Sequence, residues 1–155
     1  MATKKKSAKR ARVKPAPESL SPTENRVLKG GMPKALGIRV TSITPKKVTA
    51  EMQITPMHLN LNGGVNGGAI MAFADALGAV GAGANRPPNY RGGTIESKTN
   101  FFARGTGPVL SAVCVPLHVG RTTSVWQTTV KNPDGRTVAI VTQTQISVPA
   151  SRDET

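Results

Sequence analysis

Aromatic residues are nearly missing from this 155-residue chain, which holds three Phe, one Tyr and one Trp. A core must therefore be assembled from Val, Ile, Leu, Met and Ala, while sixteen glycines provide for many turns. Cysteine is limited to Cys114. One thiol excludes an internal disulfide framework and lacks the paired spacing of a zinc site, so a reducing, cytoplasmic setting is expected. His58 and His118 are the two histidines, too few for a typical catalytic zinc centre, and neither a metal nor a cofactor is expected.

Acidic side chains are scarce as well, eight against twenty-one Lys and Arg, for a net charge of +13. Seven of the positive charges, Lys4, Lys5, Lys6, Lys9, Arg10, Arg12 and Lys14, come before the first acid, Glu18. Setting those seven aside from +13 leaves +6, so the rest of the chain is only moderately basic. The basic stretch has no aromatic residue for base stacking, which makes a solubilising tail a better expectation than nucleic-acid contact. No apolar run follows it, as a secretory signal would require.

Length allows one domain with a sizeable core. Residues 1–22 read as a basic disordered tail, 23–150 as one folded domain and 151–155 as a disordered end. Within the domain, Ser21 to Lys29 carries helix-starting residues and meets Gly30-Gly31, which predicts a short helix. Alternation in Ile38 to Thr44 and Val48 to Ile54, around Pro45-Lys46-Lys47, predicts a hairpin. Four more strands are expected over Thr94 to Phe102, Val109 to Val119, Ser124 to Lys131 and Thr137 to Val148, with turns at 104–107 and 132–135.

Between the strand groups lies Gly67 to Ala84, an Ala-rich run whose length favours helix. At about 100° per residue, Ile70, Phe73, Ala74, Leu77 and Gly81 share one face, and Asp75 falls opposite them beside Met71, Ala72, Ala79 and Ala82. Both faces are apolar, so the helix is expected to be buried. A membrane span is the rival for such a run, but this one is short, Gly-rich and carries a carboxylate at its midpoint, so no membrane insertion is expected.

Asp75 is the only charge on that helix. A buried carboxylate must be hydrogen-bonded, paired or protonated, which makes Asp75 either a structural brace or a catalytic group. Directly before the helix, His58 to Gly68 supplies glycine-rich backbone whose free N–H groups, at the positive end of the helix dipole, can polarise a carbonyl. The phosphate-cradling Gly-x-x-x-x-Gly-Lys-Ser/Thr pattern is absent. Cys114, inside an alternating strand, and the single Trp, Trp126, are read as core residues.

The order His58-x-Asn60-x-x-Gly63 and Gly67-Gly68, then Asp75 eight residues after Gly67, resembles the hot-dog acyl-CoA thioesterases of the phenylacetate-degradation (PaaI-like) type. Thr94-Ile95-Glu96-Ser97-Lys98-Thr99-Asn100-Phe101 and His118-Val119-Gly120-Arg121-Thr122-Thr123 continue that resemblance, which runs from about residue 35 to 148. It implies an α+β hot-dog fold, an antiparallel sheet wrapped around one long central helix. It further implies a homodimer, assembled into a dimer of dimers, whose active sites draw on both subunits. Carried over by motif position, Asp75 is the general base or nucleophile, the Gly67 N–H polarises the thioester carbonyl, Asn60 orients water or substrate, and Thr94 helps hold the water. Asn66, Gly68, His118, Arg121 and Thr122 are the expected substrate and CoA contacts, with Arg121 against a phosphate.

The implied activity is hydrolysis of an acyl-CoA or aroyl-CoA to free acid and CoA, by an activated water or through a transient anhydride. The family commonly has His where this chain has Asn66, which can cap the helix but cannot titrate near neutral pH. A hot-dog hydratase or dehydratase is weakened by that replacement. A non-catalytic acyl-CoA-binding module is the other alternative.

Overall fold

The computed structural model describes residues 29–150. The 1–22 tail, most of the helix expected over 21–29 and the 151–155 end lie outside the described residues. The alternating segments form six strands, β1 (Ile38–Thr44), β2 (Lys47–Gln53), β3 (Tyr90–Phe101), β4 (Val109–Val119), β5 (Thr123–Lys131) and β6 (Thr137–Pro149). They make one antiparallel sheet in the order β1-β2-β4-β5-β6-β3. A five-residue helix, α1 (Gly31–Ala35), stands where Gly30-Gly31 was expected only to stop one. The long helix α2 (Gly67–Ala84) has the predicted bounds, and its connection carries the chain across the sheet to deliver β3 at the far edge.

Period-2 alternation puts Val48, Ala50 and Met52 of β2, Leu110, Ala112 and Cys114 of β4, and Trp126 and Val130 of β5 on the face that α2 covers. Ile70, Phe73, Leu77 and Val80 of α2 are at most 2% exposed against them. The lone Trp126 fits because α2 offers Gly81, where a Cβ would come within 2.7 Å of the indole ring. Its Nε1–H donates to Ser124 Oγ at 2.9 Å, so the buried ring keeps a polar partner.

Two expectations need correction. β3 begins at Tyr90 instead of Thr94 and ends at Phe101 instead of Phe102. Gly92 and Gly93 do not break it, because the ladder with β6 runs through them (Gly92↔Ser147, Gly93↔Ile146). The helix is buried along one face only: Met71 is 40% exposed, and Ala72, Asp75 and Ala79 are partly exposed. Ala82, one heptad beyond Asp75, is back in the core, so the uncovered stretch is confined to the middle of α2. By length and composition α2 could cross a membrane, yet its large side chains are packed against the sheet of this domain.

Cys114 is fully buried, and that burial pushes its thiol up to about 11, against a smaller lowering from the neighbouring Thr128 hydroxyl. The folded thiol therefore keeps its proton where the unfolded one, near 9.0, has lost it. Its contribution to stability is complete below pH 9.0 and is lost as pH rises toward about 11. Urea unfolding followed across that window is expected to show this decline in the wild type and less of it in Cys114→Ala.

Candidate active site

The loop before α2 is organised by its polar residues. Thr55 and His58 close a capping box on the short 3-10 turn Pro56–His58. His58 Nδ1 accepts the Thr55 N–H at 3.0 Å, which leaves Nε2–H to donate to the Leu36 carbonyl at 3.2 Å. At 2% exposure this histidine is a brace. Asn60 Oδ1 accepts from the backbone N–H of Asn62 (2.9 Å) and of Gly64 (3.2 Å), fixing the glycine turn.

Asn66 caps α2, its Oδ1 accepting the Gly68 N–H at 2.8 Å. The Gly68 N–H is thereby spent, while the Gly67 N–H has no partner among the described residues, at the positive end of an 18-residue helix. Gly67 lines a cleft of about 440 Å³ together with Asn60, Asn62, Ile70, Phe101 and Arg104, among others. Arg104 escaped the sequence reading. Its guanidinium donates to the Asn62 carbonyl, and its own carbonyl accepts from Asn132 Nδ2 at 3.0 Å, so the turn after β5 steadies the cleft wall.

Asp75 lies farther along α2. Its Oδ1 accepts two hydrogen bonds, from Thr94 Oγ1 at 2.7 Å and from Gln143 Nε2 at 2.8 Å. Oδ2 has no protein partner among the described residues. Thr94 Oγ1 in turn accepts from Gln145 Nε2 at 2.8 Å. The sheet register explains the grouping: Thr94 of β3 stands opposite Gln145 of β6, which stands opposite Ser124 of β5. Gln143 and Gln145 were missed, although a signal was present. They continue the inward-facing series Ala139, Val141 on β6, where period 2 calls for apolar side chains.

Eight residues separate Gly67 from Asp75, about 12 Å along the helix axis and about 80° around it. Within one chain the Gly67 N–H and the Asp75 carboxylate are thus held apart. His118 is exposed near the end of β4, beyond a bulge, and Arg121 and Thr122 are exposed in the β4–β5 turn. The Thr122 carbonyl accepts from Ser147 N–H at 2.7 Å, which ties that turn to the last residues of β6. Arg86, just past α2, reaches the same place, its Nε donating to Ser147 Oγ at 3.4 Å. No group of three or more His, Cys, Asp or Glu among the described residues is arranged to hold a metal ion.

Residues 62–139 match the model of the thioesterase superfamily. The proofreading thioesterase EntH of Cronobacter sakazakii is 32% identical over 108 residues, covering 69% of this chain and 78% of that one. A mutant thioesterase from Pseudomonas aeruginosa superposes with a TM-score of 0.78 at 25% identity, covering 86% of this chain and 96% of the other. The PaaI protein of the E. coli phenylacetic acid degradation operon superposes with a TM-score of 0.70 at 23% identity, over 76% and 84% of the two chains.

Proposed function

This chain belongs to the thioesterase superfamily and is a thioester hydrolase, and from that premise we propose that its substrate is an acyl-CoA or aroyl-CoA, hydrolysed to the free acid and CoA by a water that Asp75 deprotonates. The observation that carries this reading is the one-sided hold on Asp75: both donors go to Oδ1, which leaves Oδ2 as the basic oxygen. With the thioester oxygen on the Gly67 N–H, a water on Asp75 Oδ2 attacks the carbonyl carbon and Asp75 takes its proton. The tetrahedral oxyanion is stabilised by that N–H and the helix dipole, neither of which must reorganise as charge develops. Collapse breaks the C–S bond, and the proton on Asp75 passes to the departing sulfur. Asn60 has its oxygen committed to the loop, so its amide nitrogen is the group we assign to orienting substrate or water.

The 12 Å gap within α2 is closed by pairing two chains. β3 is an edge strand with almost its whole length exposed, Ile95 at 57% and Phe101 at 50%. Such an edge invites a second strand. Two copies of β3 paired antiparallel about Ser97-Lys98 would put Thr94 of one opposite Phe101 of the other. Thr94 holds Asp75, and the Phe101 ring lies over Gly67, 3.1 Å from where a Cβ there would be. The same pairing would cover the open middle of α2. Arg121, in the turn whose Thr122 carbonyl accepts from Ser147, and Arg86, whose Nε donates to Ser147 Oγ, are the residues we assign to the phosphates of CoA, Arg for its bidentate fit to such groups. The commitment of Asn66 to capping α2 offers no proton-transfer group there for a hydratase.

Thiol release measured over short, medium, long and aromatic acyl-CoAs tests the substrate class. Saturable turnover with at least one of them is expected; absence of thiol release from all of them would refute CoA thioesters as substrates.

A further inference from the structure

We propose that Gln143 and Gln145 are positioning residues for the reaction, holding Asp75 so that Oδ2 alone is presented as the base; this rests on the reading of Asp75 given above. The two glutamines are 0% and 1% exposed, on neighbouring inward positions of β6. They reach toward α2 through the space left at Gly78, where a Cβ would overlap Gln143 Oε1 and lie 3.4 Å from Gln145 Nε2. Gln145 donates to Thr94, which occupies a lone pair of that hydroxyl and directs its one hydrogen to Asp75 Oδ1. Gln143 donates to the same oxygen from the other strand. Two donors on one carboxylate oxygen fix the plane of the group and leave the free lone pairs on the other.

The arrangement is poor for stability. Both Oε1 atoms are buried without a hydrogen-bond partner, and an unpaired buried amide oxygen is destabilising where an aliphatic side chain would pack without that penalty. Each glutamine makes its one hydrogen bond toward the Asp75 network. Turned over, the Gln143 amide would set Oε1 against Asp75 Oδ1, two acceptors without a hydrogen between them, so Asp75 Oδ1 selects the orientation seen. The donors to Asp75, Thr94 from β3 and Gln143 from β6, are neutral, as are Gln145 and the buried Ser124, Trp126 and Thr128 of the adjoining β5. Glu96, paired opposite Thr144 and within 3.5 Å of its hydroxyl, and Lys98, opposite Thr142, stand on the other face of the sheet, and α2 has no second ionisable residue.

The test compares Gln143→Leu, Gln143→Glu, Gly78→Ala and Asp75→Asn with the wild type, by kcat and KM for thiol release, by pH profile and by thermal unfolding. Gln143→Leu is expected to keep or raise Tm, to change KM less than about twofold and to lower kcat by roughly 10- to 100-fold, the scale of a misplaced catalytic group. Gly78→Ala keeps every polar group but pushes the Gln143 amide aside, and should reproduce the loss in kcat. Gln143→Glu can donate only while its carboxyl carries a proton, so its activity relative to wild type should rise as pH falls from about 8 to 5. Wild-type kcat and pH profile in all three, with Asp75→Asn inactive, would overturn the positioning role and leave the Asp75 reading standing. An active Asp75→Asn would overturn that reading itself. A fall in kcat that merely follows a fall in Tm, with no altered pH profile in Gln143→Glu, would also overturn the proposal.

Discussion

Asp75→Asn is expected to lower kcat for thiol release by about a thousandfold or more, some 4 kcal/mol of transition-state stabilisation, with the fold intact. The fold should survive because the asparagine oxygen can accept the same two hydrogen bonds, from Thr94 and Gln143, that Oδ1 accepts now. What is lost is Oδ2, replaced by an amide that can neither remove a proton from water nor attack a carbonyl. The KM for an acyl-CoA should change little, since Asp75 is assigned no part in ground-state binding. Turnover within tenfold of wild type would refute Asp75 as base and as nucleophile alike.

The second large effect comes from Gly67→Pro. Proline deletes the N–H assigned to the thioester oxygen and should cost about 10²- to 10³-fold in kcat, the usual loss for one oxyanion donor. The backbone accepts it: Gly67 is the first helical residue, where that N–H has no intrahelical partner, and Asn66 at φ −61 and ψ 136 has the extended geometry favoured before proline. The new ring meets Phe101, half exposed and able to yield. Refolding Asp75→Asn and Gly67→Pro together then asks where the two groups meet. If each site takes Asp75 from one subunit and Gly67 from the other, half the dimers are mixed and each has one intact site, restoring about a quarter of wild-type activity. If both groups act within one chain, the mixture stays as inactive as its components.

Much of this was legible in the sequence because it is local. Helix α2 was placed to the residue, since its Ala-rich run is bounded by an Asn cap and by polar residues after Ala84. The hairpin β1–β2 and the later strands followed from alternation, which backbone pleating imposes without reference to any distant partner. Asp75 stood out because a lone carboxylate in an apolar helix must find donors. Where those donors come from was not legible. Gln143 is 68 residues from Asp75, and only the ladder between β3 and β6 sets Gln145 beside Thr94. The start of β3 was misjudged for a related reason, since Gly92 and Gly93 look like a break until β6 supplies partners for their backbone groups.

The sequence by itself determined the helix, the alternating strands, the capped loop that exposes the Gly67 N–H and the presence of one carboxylate in an apolar setting, because each depends on neighbours a few residues apart. Only the tertiary structure decided that Asp75 is gripped on one oxygen, that Gly78 leaves room for the glutamines that grip it, and that α2 is covered on one face while β3 stays open along its edge. Those features arise where strands far apart in the chain come into register against a helix, and register is a property of the whole sheet.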